Sequence, residues 1–417
     1  MESTKGDVGG GEFATRSLRG AWRSSVQRVG QGDIGSLPVV LGLVFIVIIF
    51  QIANHNFLSP INLANLMVQI SAVGTISVGV TLVLLIGEID LSVGAVSGLT
   101  AGIMAVLSVK AGLPGPLAVL IGLLAGVAIG LLQGFWFAKL HVPSFVVTLA
   151  GYLGWQGALL FVLGSTGTVN LTDPSITGLA NARLAVPLGW ALGVVFVVAY
   201  AAGLFRERQR RARAGLEAQS LAIVLARVAL VAAAIAIALY ILSINRNPIR
   251  AGTPIRGTPS AILILLGFVV LFDLILRRTR FGRYVFAVGG NVEAARRAGI
   301  NVDRIRITVF ALCSGLAAAG GILAGSRLLA VNQSSGSGDV LLNAIAAAVI
   351  GGTSLFGGRG STWSALLGAL VIGSIANGMD LLAFPSSVKF MVTGAVLLLA
   401  VTLDAYTRSR RQLTGRS

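Results

Sequence analysis

The chain has 417 residues, 55% hydrophobic and only 11% charged, and its mean hydropathy of +0.88 excludes a soluble globular domain. A net charge of +17 invites a nucleic-acid reading, but the arginines sit in short clusters between long apolar runs, which suits anionic headgroups and a cytoplasmic face; no nucleic-acid partner is expected. The single cysteine, Cys313, cannot form an internal disulfide and reads as a small packing residue, and His55 and His141 lie far apart at the ends of apolar runs, so no metal site is expected.

Residues 1–36 are polar, rich in Gly and Ser, and carry Lys5, Arg16, Arg19, Arg23 and Arg28; they read as a disordered cytoplasmic tail. Apolar runs near the length of about 20 residues that a bilayer requires follow at 37–53, 64–86, 92–109, 116–138, 144–164, 187–204, 219–243, 259–276, 306–328, 363–380 and 387–404. The first has no small-residue cleavage site behind it and reads as a retained span. A shorter run at 341–352 reads as broken or re-entrant. The expected fold is an all-α integral membrane protein, a polytopic helical bundle of about 10–12 transmembrane helices over residues 37–404, with a cytoplasmic tail at 405–417.

Counting the short run as a crossing gives about twelve passes and puts both termini inside. The cytoplasmic segments so defined hold most of the 32 basic residues, with the densest group at Arg206, Arg208, Arg210, Arg211 and Arg213. Arg246, Arg250 and Arg256 fall on the other side; if the pair 219–243 and 259–276 does not span, the count drops by two and the termini stay inside.

Glycines at four-residue spacing, Gly122, Gly126 and Gly130, predict close helix packing in lipid. Residues 87–94 (GEIDLSVG) place two carboxylates between apolar runs, where they are costly unless paired, hydrated or at the cytoplasmic end of a span. Asp90 reads as the cap of a helix starting at Leu91 with Glu88 at its positive dipole end, a role compatible with gating. In the polar segment 280–304, Asn291 can cap a helix, Glu293 falls in its first turn, Arg296 and Arg297 in its last, and Gly299 can stop it. This predicts a two-turn helix over 292–298, with Val292, Ala295 and Gly299 on the face resting on the membrane domain; a merely topological basic loop is the plain alternative. Residues 351–361 (GGTSLFGGRGS) interrupt a helix and signal a pathway or hinge. No phosphate-binding lysine loop and no nucleophile with a base is present, so energy for uphill transport would enter from a partner. Asp273, four residues before Arg277, reads as its ion-pair partner.

Three segments in order, 87–94, 282–299 (GRYVFAVGGNVEAARRAG) and 345–360 (IAAAVIGGTSLFGGRG), resemble the membrane permease subunit of bacterial ABC importers for monosaccharides of the ribose and xylose type. The likeness covers about residues 37–404, and the extra stretch at 205–257 resembles the xylose-type branch. It implies two permease copies forming a pore, cytoplasmic ATP-binding subunits holding ATP and Mg, and an extracytoplasmic sugar-binding protein. The chain itself would bind no cofactor and catalyse nothing, and would sit in the bacterial inner membrane among its lipids. The coupling loop maps to 277–306, with Asn291, Glu293, Ala295, Arg296, Arg297 and Gly299 meeting the ATPase. Glu88, Asp90, Ser92, Gly94, Gly351, Gly352, Thr353 and Ser354 are the expected pathway or gating positions. Glu88 departs from the family, where glycine is more usual beside the Ile-Asp pair. Rival readings are an ion-coupled secondary carrier using Glu88 and Asp90, a non-transporting scaffold, and the same importer class for a nucleoside, another carbohydrate or a signalling furanone.

Overall fold

The computed structural model describes residues 37–216, 218–247 and 252–413; the expected tail at 1–36 and the last residues of the C-terminal tail, 414–417, lie outside them. The chain divides into two units, one built on residues 185–245 and the other on 35–184 with 246–417. In the larger unit, α1 (Leu37–Ala53), α2 (Pro60–Leu85), α3 (Val93–Val109), α4 (Gly115–Lys139) and α5 (Ser144–Leu163) lead to strand β1 (Thr168–Asn170), α6 (Pro174–Asn181) and β2 (Arg183–Leu184). The smaller unit follows as α7 (Val186–Arg213) and α8 (Leu221–Ser243). The larger unit resumes with β3 (Thr258–Pro259), α9 (Ser260–Arg278), α10 (Arg280–Gly290), α11 (Val292–Arg297) and α12 (Val302–Leu328). It ends with β4 (Ala330–Asn332), α13 (Gly338–Ile350), α14 (Thr362–Leu381) and α15 (Ser386–Leu413).

Eight of these helices are long and apolar enough to cross a membrane, and four shorter apolar ones, within α1, α3, α13 and α15, fall on the remaining apolar runs. The fold is an all-α polytopic bundle whose only strands among the described residues are two short antiparallel ribbons, β1 with β4 and β2 with β3. Helix starts follow local chemistry: Ser59, with Pro60 behind it, accepts from Asn62 N to open α2, and Asp173 before Pro174 does the same for α6 from Ser175 N. In the smaller unit α7 and α8 pair antiparallel, with Trp190 Nε1–H donating to Ser243 Oγ at one end (3.2 Å) and Arg208 Nε–H to Gln219 O at the other (3.1 Å).

The core of the larger unit forms around α2 and α12, both buried on nearly every side. Lipid supplies little hydrophobic drive between helices, so backbones must approach closely to gain dispersion energy. The predicted glycine row does this against α12 and runs one turn further: a Cβ at Gly126 would stand 2.6 Å from the Ala318 Cβ, at Gly130 2.3 Å from Phe310 O, and at Gly134 2.8 Å from the Ile307 Cα.

The short apolar run at 341–352 is α13, entered through a turn at 333–336: a Cβ at Gly98 would stand 2.1 Å from Ser335 O, and one at Gly94 2.7 Å from Gly336 O, so this turn lies against α3 before the helix begins. The crossing is broken into strand, turn and helix, and its backbone is shielded by protein as an apolar solvent demands. Three elements differ from the sequence expectation. α10 is a full helix inside the polar segment, α6 stands where no element was expected, and α15 continues to Leu413, into the expected tail.

Candidate functional site

The loops joining α2 to α3 and α13 to α14 meet α10 and α11 at one end of the larger unit. Asn291 caps α11 by accepting from Ala294 N at 2.9 Å. The helix closes in a Schellman motif: Ile300 N–H reaches Ala295 O (3.1 Å) and Gly299 N–H reaches Arg296 O (3.0 Å), with Gly299 at φ +79°. Ala295 is buried beneath it, whereas Glu293, Arg296 and Arg297 are exposed, Glu293 lying 3.9 Å from Arg296 and 3.4 Å from Arg297. Gly299 is exposed and serves as the stop, so it leaves the packing face expected for it; Ile300, drawn back by the Schellman bond, packs against the core in its place.

The segment leading into this helix is fastened at a crossing of glycines. A Cβ at Gly289 would stand 1.7 Å from Leu85 O, the same carbonyl that accepts from Gly358 N at 2.9 Å, and one at Gly357 would stand 2.7 Å from Gly289 O and 2.9 Å from Gly87 N. Only residues without side chains let these three strands of backbone touch. The three motifs, up to about 270 residues apart in the chain, therefore share one joint. Gly351 and Gly352 are not part of it: a Cβ at Gly351 would stand 1.8 Å from Ser364 O at the start of α14, and Gly352 turns the chain at φ +107°. Thr353 is buried, its hydroxyl without a hydrogen bond among the described residues, and Ser354 N–H closes a turn on Arg359 O at 3.0 Å.

In the loop 86–92 the two carboxylates are held by different means. Glu88 accepts from Ser144 Oγ–H at 2.7 Å and pairs with Arg306 Nη2 at 3.3 Å, while the Arg306 guanidinium lies 4.5 Å above the Phe137 ring centroid. Burial pushes the Glu88 carboxyl up, and Ser144 and then Arg306 draw it part of the way back. Asp90 is fully buried; Oδ1 accepts from Ser92 N at 2.8 Å and Ser92 Oγ at 2.6 Å, and Gln133 Nε2 donates to the same hydroxyl at 3.0 Å. Among the described residues its Oδ2 has no hydrogen bond of normal geometry, the Cys313 thiol being the polar group that faces it. This corrects the capping assignment: α3 begins at Val93 with Ser92 as its flanking residue, and Asp90 makes a local turn to the amide two residues on. Gly94 packs on Gly336 O, one residue into α3. Among the described residues no group of His, Cys, Asp or Glu could hold a metal ion.

At the opposite end, a cavity of about 560 Å³ opens between the start of α2, α6, the β2 and β3 ribbon and the last turns of α12 and α14. Amides dominate its floor: Asn62 and Asn377 exchange hydrogen bonds of 2.7 and 3.0 Å, and Gln69 Oε1 accepts from Asn377 at 3.5 Å. Asn65, Asn181, Arg183, Arg246, Arg327 and Asp380 complete the polar lining. Sequence reasoning missed this site, and it also missed Arg306, Ser144 and Gln133. Asn62, Asn65 and Gln69, three and four residues apart, do mark a polar helical face in an apolar run, which is the one sequence signal that could have found the cavity.

Residues 62–401 match the family described as the permease component of branched-chain amino acid transport systems. The chain is 38% identical to the xylose transport system permease protein XylH of Escherichia coli K12 over 354 residues, covering 85% of this chain and 87% of that protein. It is 36% identical to XylH of Haemophilus influenzae over 379 residues (90% and 98%), and 32% identical to the ribose import permease protein RbsC of Bacillus subtilis over 374 residues (89% and 94%). No solved structure matches it.

Proposed function

From the premise that this chain belongs to the family described as the permease component of branched-chain amino acid transport systems, we propose that it is the membrane-spanning subunit of an ATP-driven importer for a monosaccharide, xylose or a related sugar. It is a multi-pass inner-membrane subunit and not itself catalytic. In this reading two copies form the pore, ATP-binding subunits carrying ATP and Mg dock in the cytoplasm, and an extracytoplasmic binding protein delivers the sugar. Both termini face the cytoplasm, as the distribution of basic residues favours.

The observation that carries this reading is the joint beneath α11. Glu293, Arg296 and Arg297 offer an exposed charged surface to a motor, and Gly289 and Gly358, both against Leu85 O, connect that surface by backbone contact to α2 and to the loop before α14. A push on α11 would therefore move α2, which reaches the amide-lined cavity at its other end through Asn62 and Gln69. Glycine-rich breaks at 87–94 and 351–354 are where the helices would reorient. An ion-coupled carrier fits less well, because Glu88 is engaged by Arg306 and Ser144 and Asp90 by Ser92.

Replacing Glu293 and Arg296 together by alanine in the complete importer should lower sugar uptake and sugar-stimulated ATPase activity at least tenfold while membrane insertion is unchanged. Normal uptake in that variant would remove α11 from the coupling path, and uptake driven by an ion gradient without any ATPase would replace the importer with a carrier.

A further inference from the structure

The joint beneath α11 leaves the arginine tract of α7 unexplained, yet the helix sorts its side chains by what they meet. Arg211 pairs with Glu207 at 3.1 Å, and Arg208 donates to Gln219 O, tying α7 to the start of α8. Arg206, Arg210 and Arg213 are exposed and make no ion pair or hydrogen bond among the described residues. Spaced four and then three apart, they share one face of the helix. The same face continues toward the start of α7 as Leu188, Leu192, Val195, Ala199 and Ala202, all exposed. It points away from α8, which is approached from Gly193, where a Cβ would stand 2.6 Å from the Leu239 Cδ1, and from Arg208.

One stripe thus turns from apolar to basic along its length. From Leu188 to Arg206 it rises about 27 Å at 1.5 Å per residue, close to the ~30 Å of a bilayer's hydrocarbon core. Only 6% of the apolar window of α7 is buried by protein, so acyl chains cover the upper part of the stripe and headgroups meet the arginines. Counting Glu217, the segment 206–219 holds five arginines and two acids, so it keeps a net charge of three wherever Glu217 lies. A zwitterionic headgroup leaves that charge in place, whereas an anionic one offsets it. Guanidinium groups also match a phosphate with two parallel hydrogen bonds.

We propose that this stripe is a binding site for an anionic phospholipid, its headgroup phosphate on Arg206, Arg210 and Arg213 and its acyl chains along Val195, Ala199 and Ala202. The test is native mass spectrometry of the full chain in detergent with added phosphatidylglycerol or phosphatidylcholine. The tightest site should take phosphatidylglycerol at least tenfold more tightly than phosphatidylcholine. Arg206→Gln, Arg210→Gln and Arg213→Gln together should cut that preference to twofold or less, while Arg211→Gln, whose charge Glu207 already meets, keeps most of it. A permuted variant, Arg206→Gln with Gln209→Arg and Arg213→Ala with Ala212→Arg, preserves the charge of the tract but spreads these arginines over about 160° of the helix. It should also lose most of the preference, and it keeps the test open if the uncharged variant inserts poorly. Equal binding of the two lipids by the wild-type chain overturns the inference. So does a wild-type preference in the permuted variant, which would reduce the tract to a signal for membrane orientation. Unchanged phosphatidylglycerol binding in the triple variant, with loss of co-purifying ATP-binding subunits, would assign the arginines to that partner and overturn it as well. No transport is read, so the outcome is separate from that of the proposed function.

Discussion

The two ends of the larger unit solve opposite problems. Around Gly87, Gly289 and Gly357 the chain has removed side chains until backbone rests on backbone, and the polar groups nearby, Glu88 with Arg306 and Asp90 with Ser92, are tied down. Around Asn62, Gln69 and Asn377 it has kept polar side chains and left about 560 Å³ of space between them. In the proposed importer a joint that transmits force gains from having no soft parts, because close-packed interiors shift between discrete arrangements and do not deform smoothly. A surface that receives a hydrated solute gains from exchangeable hydrogen bonds. The helix α2 belongs to both ends, which is why its 26 residues carry amides, Asn62, Asn65 and Gln69, in the first half and are almost wholly buried in the second.

The strongest way to break this contrast is to put a side chain into the joint. Gly289→Ala places a methyl group 1.7 Å from Leu85 O and 2.7 Å from Gly358 N, so α10 must move off α2. Overpacking of this kind costs about 1–3 kcal/mol or more, and uptake should fall at least a hundredfold with reduced yield of monodisperse protein. The adjacent Gly290→Ala meets nothing within 4 Å and should behave as wild type. If the two variants match, the joint is compliant and the contrast fails.

A smaller effect is expected at the pair that straps the loop 86–92 to α12. Arg306→Gln leaves the half-buried Glu88 carboxylate with Ser144 alone, a loss of about 2 kcal/mol, within the usual range for a buried polar group that loses one partner. Its pH dependence has a definite sign. Burial raises the Glu88 pKa, so the folded state takes up a proton more readily than the unfolded chain; the resulting stabilisation is full below the unfolded pKa and is lost as pH rises through the folded value. Removing Arg306 raises the folded value further. The melting temperature of Arg306→Gln should therefore approach that of wild type near pH 5 and fall away toward pH 8, and Glu88→Gln in the same background should flatten the curve. A pH-independent deficit would mean that Arg306 acts through Phe137 alone.

What was legible beforehand follows the same division. Apolar runs locate the spans because a bilayer imposes their length, and the α11 helix was legible because Asn291, Glu293, Arg297 and Gly299 are local signals acting within one turn of where they stand. The glycine row on α4 was legible as packing, and its partner on α12 was not, since spacing names a face without naming what covers it. The cap assigned to Asp90 failed because the side chain found its amide partner two residues on, at Ser92, before any helix had begun. Arg306 read as one more basic residue of a cytoplasmic loop; its partners Glu88 and Phe137, and Ser144 bonded to the same Glu88 carboxylate, come from three other segments that only the fold assembles. The cavity was hidden for the same reason, with Asn62 and Asn377 315 residues apart.

The smallest expected effect is the most useful control on the contrast. Lys139 and Asp303 form a 3.1 Å ion pair between the end of α4 and the start of α12, close in sequence to Arg306 and at the same end of the bundle. Their side chains are 50% and 27% exposed, so water and salt screen the attraction, and such pairs contribute about 0.2–1 kcal/mol. A double-mutant cycle with Lys139→Ala and Asp303→Asn should give a coupling near the bottom of that range, shrinking further when salt is raised. If rigidity at this end came from charge and not from contact, the coupling would rival the loss at Arg306 and the joint would soften in high salt. A small, salt-sensitive coupling beside a large, salt-insensitive loss at Gly289 would locate the stiffness of the lever in backbone contact, where a motor's push can cross without first displacing a side chain.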